Sequence, residues 1–150
     1  MQWLNIPGIM VLAALLAPNI LYAAKRAGAS AGRVPGAWLM AAQEQIGRFG
    51  CMALMCVRLP LWHAGFASAA AQTVWLSLTM VLLAAYVLLW VFYFHRAGSK
   101  ALAVLLAAIP SALFLLSGFL WRSFPLTLLA MLFTVAHIRV TWVNLAHTEA

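Results

Sequence analysis

The chain has 150 residues, 67% of them hydrophobic and 7% charged, with a net charge of +7. Water-soluble domains carry roughly 25% charged residues, so a soluble domain is excluded and an integral membrane protein is expected. The basic residues are scattered between apolar runs instead of forming a stripe, which disfavours a nucleic-acid partner and marks them as topology determinants facing a lipid bilayer.

A membrane span needs about 20 mainly apolar residues. Five segments qualify, at 3–24, 38–59, 73–94, 101–121 and 125–145. The expected fold is therefore all-α: one domain over residues 1–150, a bundle of five transmembrane helices. The first segment has no basic stretch before it, so it is expected to be retained, although Ala27-Gly28-Ala29 has the small residues of a cleavage site. Pro18 frees the carbonyl of Ala14, and Asn19 follows it, which predicts a kink with local polar satisfaction. Next comes a Gly/Ser/Pro-punctuated connector at 25–36 carrying Lys25, Arg26 and Arg33.

The second segment holds Gln43, Glu44, Gln45 and Arg48 and is the least apolar, so a four-span chain with this segment lying at the interface is the alternative. The third is uncharged, with Tyr86 and Tyr93 as its polar atoms in the half nearer its end. Pro110 followed by Ser111 predicts a kink in the fourth. The fifth carries Thr134, His137, Thr141, Asn144 and Thr148 at 3-4-3-4 spacing, a polar stripe on one helical face.

Loop charge orients the bundle. Lys25, Arg26, Arg33, Arg96 and Lys100 fall on one side, and Arg58 and Arg122 on the other. Cytoplasmic loops are enriched in Lys and Arg, which predicts the N-terminus outside and the C-terminus inside. The indoles agree: Trp3, Trp62, Trp75 and Trp121 fall at outer span ends and Trp38, Trp90 and Trp142 at inner ones, the headgroup levels that Trp favours.

Charge within a span needs a reason, because ionisable groups at membrane depth usually face a bundle interior or a wet cavity. The chain has only two acidic residues, Glu44 and Glu149. At 1.5 Å rise per residue, Asn19, Glu44, Arg48, His137 and Thr141 all lie within roughly 6–15 Å of the cytoplasmic surface. These five form the candidate binding site, on spans one, two and five. Glu44, Arg48, Cys51, Met55 and Arg58 share one stripe, beside a small-residue strip of Gly47 and Gly50 suited to close helix packing. Two arginines and one carboxylate lie within the spans, an excess cation unless Arg139 snorkels to the headgroups. An anionic solute or anionic lipid headgroup would compensate it, and the histidine, His137, makes a pH-responsive site an expectation. Purely structural roles compete: Glu44 and Arg48 have the favourable i,i+4 order for neutralising each other, and the stripe on span five can serve helix packing.

Cys51 and Cys56 lie about 140° apart around one helix and are not expected to pair. No nucleotide-binding loop, zinc-ligand spacing or nucleophile with a nearby base is present, so an enzyme is disfavoured and no cofactor or metal is expected.

The run Pro18-Asn19-Ile20-Leu21-Tyr22-Ala23, the basic connector, and Glu44-Gln45-Ile46-Gly47-Arg48-Phe49-Gly50-Cys51 resemble a group of small, uncharacterised bacterial multi-span membrane proteins. The resemblance covers about the first 60 residues and is weakest over spans three to five. It implies a multi-pass protein of the bacterial cytoplasmic (inner) membrane and carries no activity. The expected function is binding or transport of a small anionic solute or lipid headgroup at the inner-half polar site. The alternative is an accessory subunit whose Gly47/Gly50 strip and ion pair fix contact with a membrane partner or a second copy.

Overall fold

The computed structural model describes residues 3–25, 38–59, 64–95 and 99–147. Five helices make up the described chain: α1 (Ile6–Lys25), α2 (Trp38–Cys56), α3 (Ala69–His95), α4 (Lys100–Leu120) and α5 (Phe124–His147). Four of them, α1, α3, α4 and α5, are long and apolar enough to cross a membrane, as in a multi-pass membrane protein. The exception is α2, whose Gln43, Glu44, Gln45 and Arg48 lower its apolar content. The connector with Arg26 and Arg33, Trp62, Arg96, and Thr148 at the end of the α5 stripe lie outside the described residues.

Local chemistry sets the ends of the helices. The expected third segment began at Thr73, whereas α3 begins at Ala69 because the Ser68 hydroxyl accepts a hydrogen bond from the Ala71 amide, an N-cap. At the end of α4, the Ser123 amide donates to the Gly118 carbonyl at 2.9 Å and the Arg122 amide to that of Phe119 at 3.1 Å. This is a Schellman turn. Its left-handed position, usually glycine, is held by Arg122 at φ 52°. A Cβ on Gly118 would lie 2.8 Å from the Thr127 backbone nitrogen, so α4 and α5 leave the turn as a close hairpin.

Both internal prolines sit within continuous helices, and each is followed by a side chain that serves the carbonyl three residues before the proline. The Asn19 amide donates to the Leu15 carbonyl at 2.8 Å, and the Ser111 hydroxyl to that of Ala107 at 3.1 Å. The proline ring crowds the preceding turn and removes one backbone donor. The polar residue after it supplies a donor from its side chain.

Helices consecutive in sequence run in alternating directions. At one end, Leu4 and Val57 form an antiparallel bridge, and the Asn5 amide donates to the Cys56 carbonyl at 2.8 Å. Residues 3–5, expected to be helical, are instead paired with the exit from α2. The start of α3 and the end of α4 meet at the same end, where the Trp75 and Trp121 rings lie 5.3 Å apart. At the other end Tyr22 of α1 packs on Trp90 and Tyr93 of α3, and Lys25 lies 4.8 Å over the Phe94 ring.

Indole positions match the expected ends, but their environment differs. Trp75, Trp90 and Trp121 are buried inside the bundle, whereas Trp3, Trp38 and Trp142 are exposed. Of these six described indoles, the exposed three are the ones that can act as interfacial anchors. The buried three cap the two ends of the core.

The expected gathering of spans one, two and five around the polar groups is widened by two further helices. The α5 helix packs on α4 and α2, while α1 packs on α2 and α3. It is therefore α3 and α4 that complete the ring around the polar groups.

Candidate functional site

Close approach of α2 to α5 builds the site. Modelling a Cβ onto Gly47 would place it 2.8 Å from the Cβ of Phe133, and one on Gly50 2.7 Å from Leu129 Cδ1. The two helices thus run in an antiparallel register in which Gly50 meets Leu129, Gly47 meets Phe133, and one turn further Glu44 meets His137. Small residues let helix backbones approach this closely. The Gly47/Gly50 strip expected to face a partner is occupied within the chain by α5.

At the third step of the register the Glu44 carboxylate, 8% exposed, lies 2.9 Å through Oε1 from His137 Nδ1. The same oxygen accepts from Arg48 Nη2. An ionised carboxylate only accepts hydrogen bonds, so Nδ1 carries the hydrogen of the His137 contact in that state. The imidazole is fixed from its other side by stacking on Phe133, at 4.7 Å and 17°. Arg48 remains 39% exposed and turns part of its guanidinium to open space.

That space is a cavity of about 250 Å³. Its polar wall is Asn19 of α1, Arg48 of α2, Tyr86 of α3 and His137 of α5, and α4 contributes Leu106, Pro110 and Phe114. Opposite the ion pair, the Asn19 amide donates to the Tyr86 hydroxyl at 2.7 Å as well as to Leu15. Burial of Tyr86 makes that hydroxyl a fixed polar point in an apolar helix.

The five expected site residues therefore divide. Glu44, Arg48 and His137 touch one another. Asn19 faces them across the cavity. Thr141 does not join the lining: its hydroxyl donates to the His137 carbonyl of its own helix at 2.8 Å, and Thr134 likewise serves Ala130. Two of the five residues of the expected stripe on α5, Thr134 and Thr141, thus serve their own helix backbone. Tyr86 is the residue that the sequence argument passed over, although it is one of two phenols at this level of the third segment.

The charge balance is revised as well. Glu44 compensates Arg48, and the exposed Arg139 belongs to the outside of the bundle. The cluster is neutral with a neutral imidazole, and its net positive charge appears when His137 is protonated.

No family model, no curated protein and no solved structure matches this chain.

Proposed function

We propose that this is a five-span protein of the bacterial cytoplasmic membrane, N-terminus outside and C-terminus inside, which binds a small anionic solute or an anionic lipid headgroup in the Arg48 cavity. The observation that carries this reading is the convergence of Asn19, Arg48, Tyr86 and His137, from four helices, on one cavity. Arg48 has donors beyond the one given to Glu44, and a guanidinium pairs well with carboxylate or phosphate. Protonation of His137 adds a positive charge beside it, so the affinity for an anion rises as pH falls. The other titratable groups facing this imidazole are Glu44 and Arg48 of α2 and Tyr86 of α3. The wall given by α4 is apolar.

Counting α2 as a span is supported by its company. It lies antiparallel to α1, joined end to end by the bridge at Leu4 and Val57, and its Glu44 is buried and Arg48 half-buried while Leu39, Ile46 and Phe49 are exposed along with Gln43 and Gln45. Apolar residues facing outward from a helix with a charged inner face suit lipid. The division of basic residues between the loops supports the orientation.

The test is thermal stabilisation and native mass spectrometry of the purified protein with inorganic phosphate, succinate and phosphatidylglycerol, between about pH 8 and pH 5.5, where imidazoles titrate. Stabilisation should increase toward acid, and that acid-dependent part should disappear in Arg48→Gln and in His137→Ala. Two folded variants with unaltered ligand responses would sink the binding reading and leave an accessory subunit in its place. Reporter fusions should read cytoplasmic at Ser30, Ser99 and the C-terminus and external at Ala67.

A further inference from the structure

A second cavity lies at the opposite end of α2 from Glu44, where the start of the chain, the exit from α2, the start of α3 and the end of α4 come together. Its volume is about 560 Å³, and its lining includes Trp3, Asn5, Arg58, Gln72, Trp75 and Trp121. Arg58 is the single charged residue among its described lining residues. It is held rather than free: its backbone amide donates to the Trp3 carbonyl at 2.9 Å, and its Nη2 donates to Asn5 Oδ1 at 3.3 Å. Asn5 is in turn buried and fixed, its amide donating to the Met55 carbonyl at 3.1 Å. The aromatic floor is equally rigid, with Trp75 donating through Nε1 to the Ser117 hydroxyl at 3.0 Å and packing on Trp121.

This guanidinium is incompletely satisfied. Its Nε is buried and has no hydrogen-bond partner among the described residues. The described lining holds no carboxylate to neutralise this charge, and a charge held partly out of water without a counter-ion is costly. The chain itself has little to offer. Of its two acidic residues, Glu44 is engaged by Arg48 and His137 roughly 20 Å away along α2. Glu149 lies near the C-terminus, outside the described residues. The asparagine amide that orients Arg58 carries no charge.

We propose that the Arg58 cavity is a second anion site, which takes a phosphate group carried by a small or amphiphilic body. A fixed guanidinium supplies the planar, paired donors that suit a tetrahedral oxyanion. The cavity is larger than a bare phosphate requires, and its indoles offer apolar faces to the body attached to it. Trp3, 59% exposed, stands on the lining as the part open to the surroundings. The ligand chemistry is the same whether the phosphate is free, on a small ester, or on a phospholipid headgroup. The site does not depend on the Arg48 cavity, and the two readings fail on different variants.

The experiment uses the purified full chain in a neutral detergent, with thermal shift and native mass spectrometry as readouts. The probes are inorganic phosphate, phosphatidylglycerol, and diacylglycerol with the same acyl chains. Phosphate or phosphatidylglycerol should stabilise the protein and diacylglycerol should not. Stabilisation by phosphate identifies a free-anion site, and stabilisation by phosphatidylglycerol alone identifies a headgroup site. The variants are made on the Arg48→Gln chain, so that the first cavity does not contribute: there Arg58→Gln should weaken binding tenfold or more, while Arg139→Gln, which removes an exposed charge, should bind like the parent. If Arg58→Gln fails to fold, Arg58→Lys takes its place; it keeps the charge but loses the planar, paired donors, and should bind severalfold more weakly. The proposal is overturned if neither phosphate probe stabilises the protein, if diacylglycerol acts as well as phosphatidylglycerol, if the Arg58 variant that folds binds like the parent, or if Arg139→Gln loses as much as it does.

Discussion

His137 Nδ1 sits 2.9 Å from Glu44 Oε1, across 93 residues of sequence, and this one contact ties the only charged pair of α2 to α5. The carboxylate is buried with two partners, whereas Arg48 is 39% exposed. Removing the buried partner leaves two cationic or polar groups facing an apolar interior, at a cost of about 3 kcal/mol. Arg48→Ala should cost about 1 kcal/mol, because solvent or lipid headgroups can reach its site and His137 still serves the carboxylate. Thermal or denaturant unfolding in detergent should therefore rank Glu44→Ala well below Arg48→Ala. The double variant should lose less than the sum of the two, and strict additivity would show that the ion pair is not coupled.

The two glycines of α2 should respond differently to alanine. At Gly47 the new methyl meets Phe133 Cα at 2.9 Å, so the backbones must separate, with overpacking worth about 2 kcal/mol. At Gly50 it meets only the end of the Leu129 side chain, which can change rotamer, and the cost should stay under about 1 kcal/mol. Since separation of α2 from α5 also stretches the Glu44 to His137 contact, Gly47→Ala should abolish any acid-dependent ligand stabilisation that Gly50→Ala retains. Equal stability losses at the two positions would contradict the register.

Asn19 and Tyr86 are joined by a hydrogen bond of 2.7 Å, and the two sides of that bond are not equivalent. Tyr86→Phe removes the acceptor but leaves Asn19 its second partner, the Leu15 carbonyl, and should cost about 0.5–1 kcal/mol. Asn19→Leu strands the buried Tyr86 hydroxyl and withdraws the donor that serves the proline-crowded turn, at about 2 kcal/mol. Unfolding midpoints in the reverse order would disprove the assignment of Asn19 as the donor to both.

Arg122 occupies a left-handed backbone conformation at φ 52° that glycine adopts without steric cost. Arg122→Gly should be neutral to stabilising, because relief of roughly 1 kcal/mol of backbone strain offsets the greater freedom of glycine in the unfolded chain. Arg122→Val should destabilise by about 1 kcal/mol, a β-branched side chain being least suited to that region. Differential scanning fluorimetry of the two variants checks the sign of each.

All five helices were legible from the apolar runs, because an interruption by Pro, Gly, Ser or clustered charge separates each from the next. The pairing of Glu44 with Arg48 followed from their i,i+4 spacing, and the inward face of α2 from the stripe through Cys51 and Met55. The way the helices turn toward one another was not legible. In a membrane helix such as α3, the exposed Val81 and Leu88 and the partly buried Leu82 and Leu89 are the same kind of residue, so hydropathy does not mark the inner face. Tyr86 was passed over for that reason, and so was the completion of the cavity by α3 and α4. Ser68 was missed because a single hydroxyl ahead of three alanines is a weak signal until its contact with the Ala71 amide is seen. The Arg58 cavity depends on segments far apart in sequence, which no periodicity connects.

The fastening of the chain's first residues to the end of α2 has a consequence for biosynthesis. Asn5 gives its side-chain amide to a carbonyl 50 residues later, and its backbone amide to the one after that. Neither acceptor exists when α1 first leaves the ribosome, since the N-terminal part of a chain is made first. Until α2 is complete these two contacts cannot form. The head of α1 therefore takes its final place only once the chain has been made through Cys56, and a chain that ends before Met55 leaves α1 without either fastening.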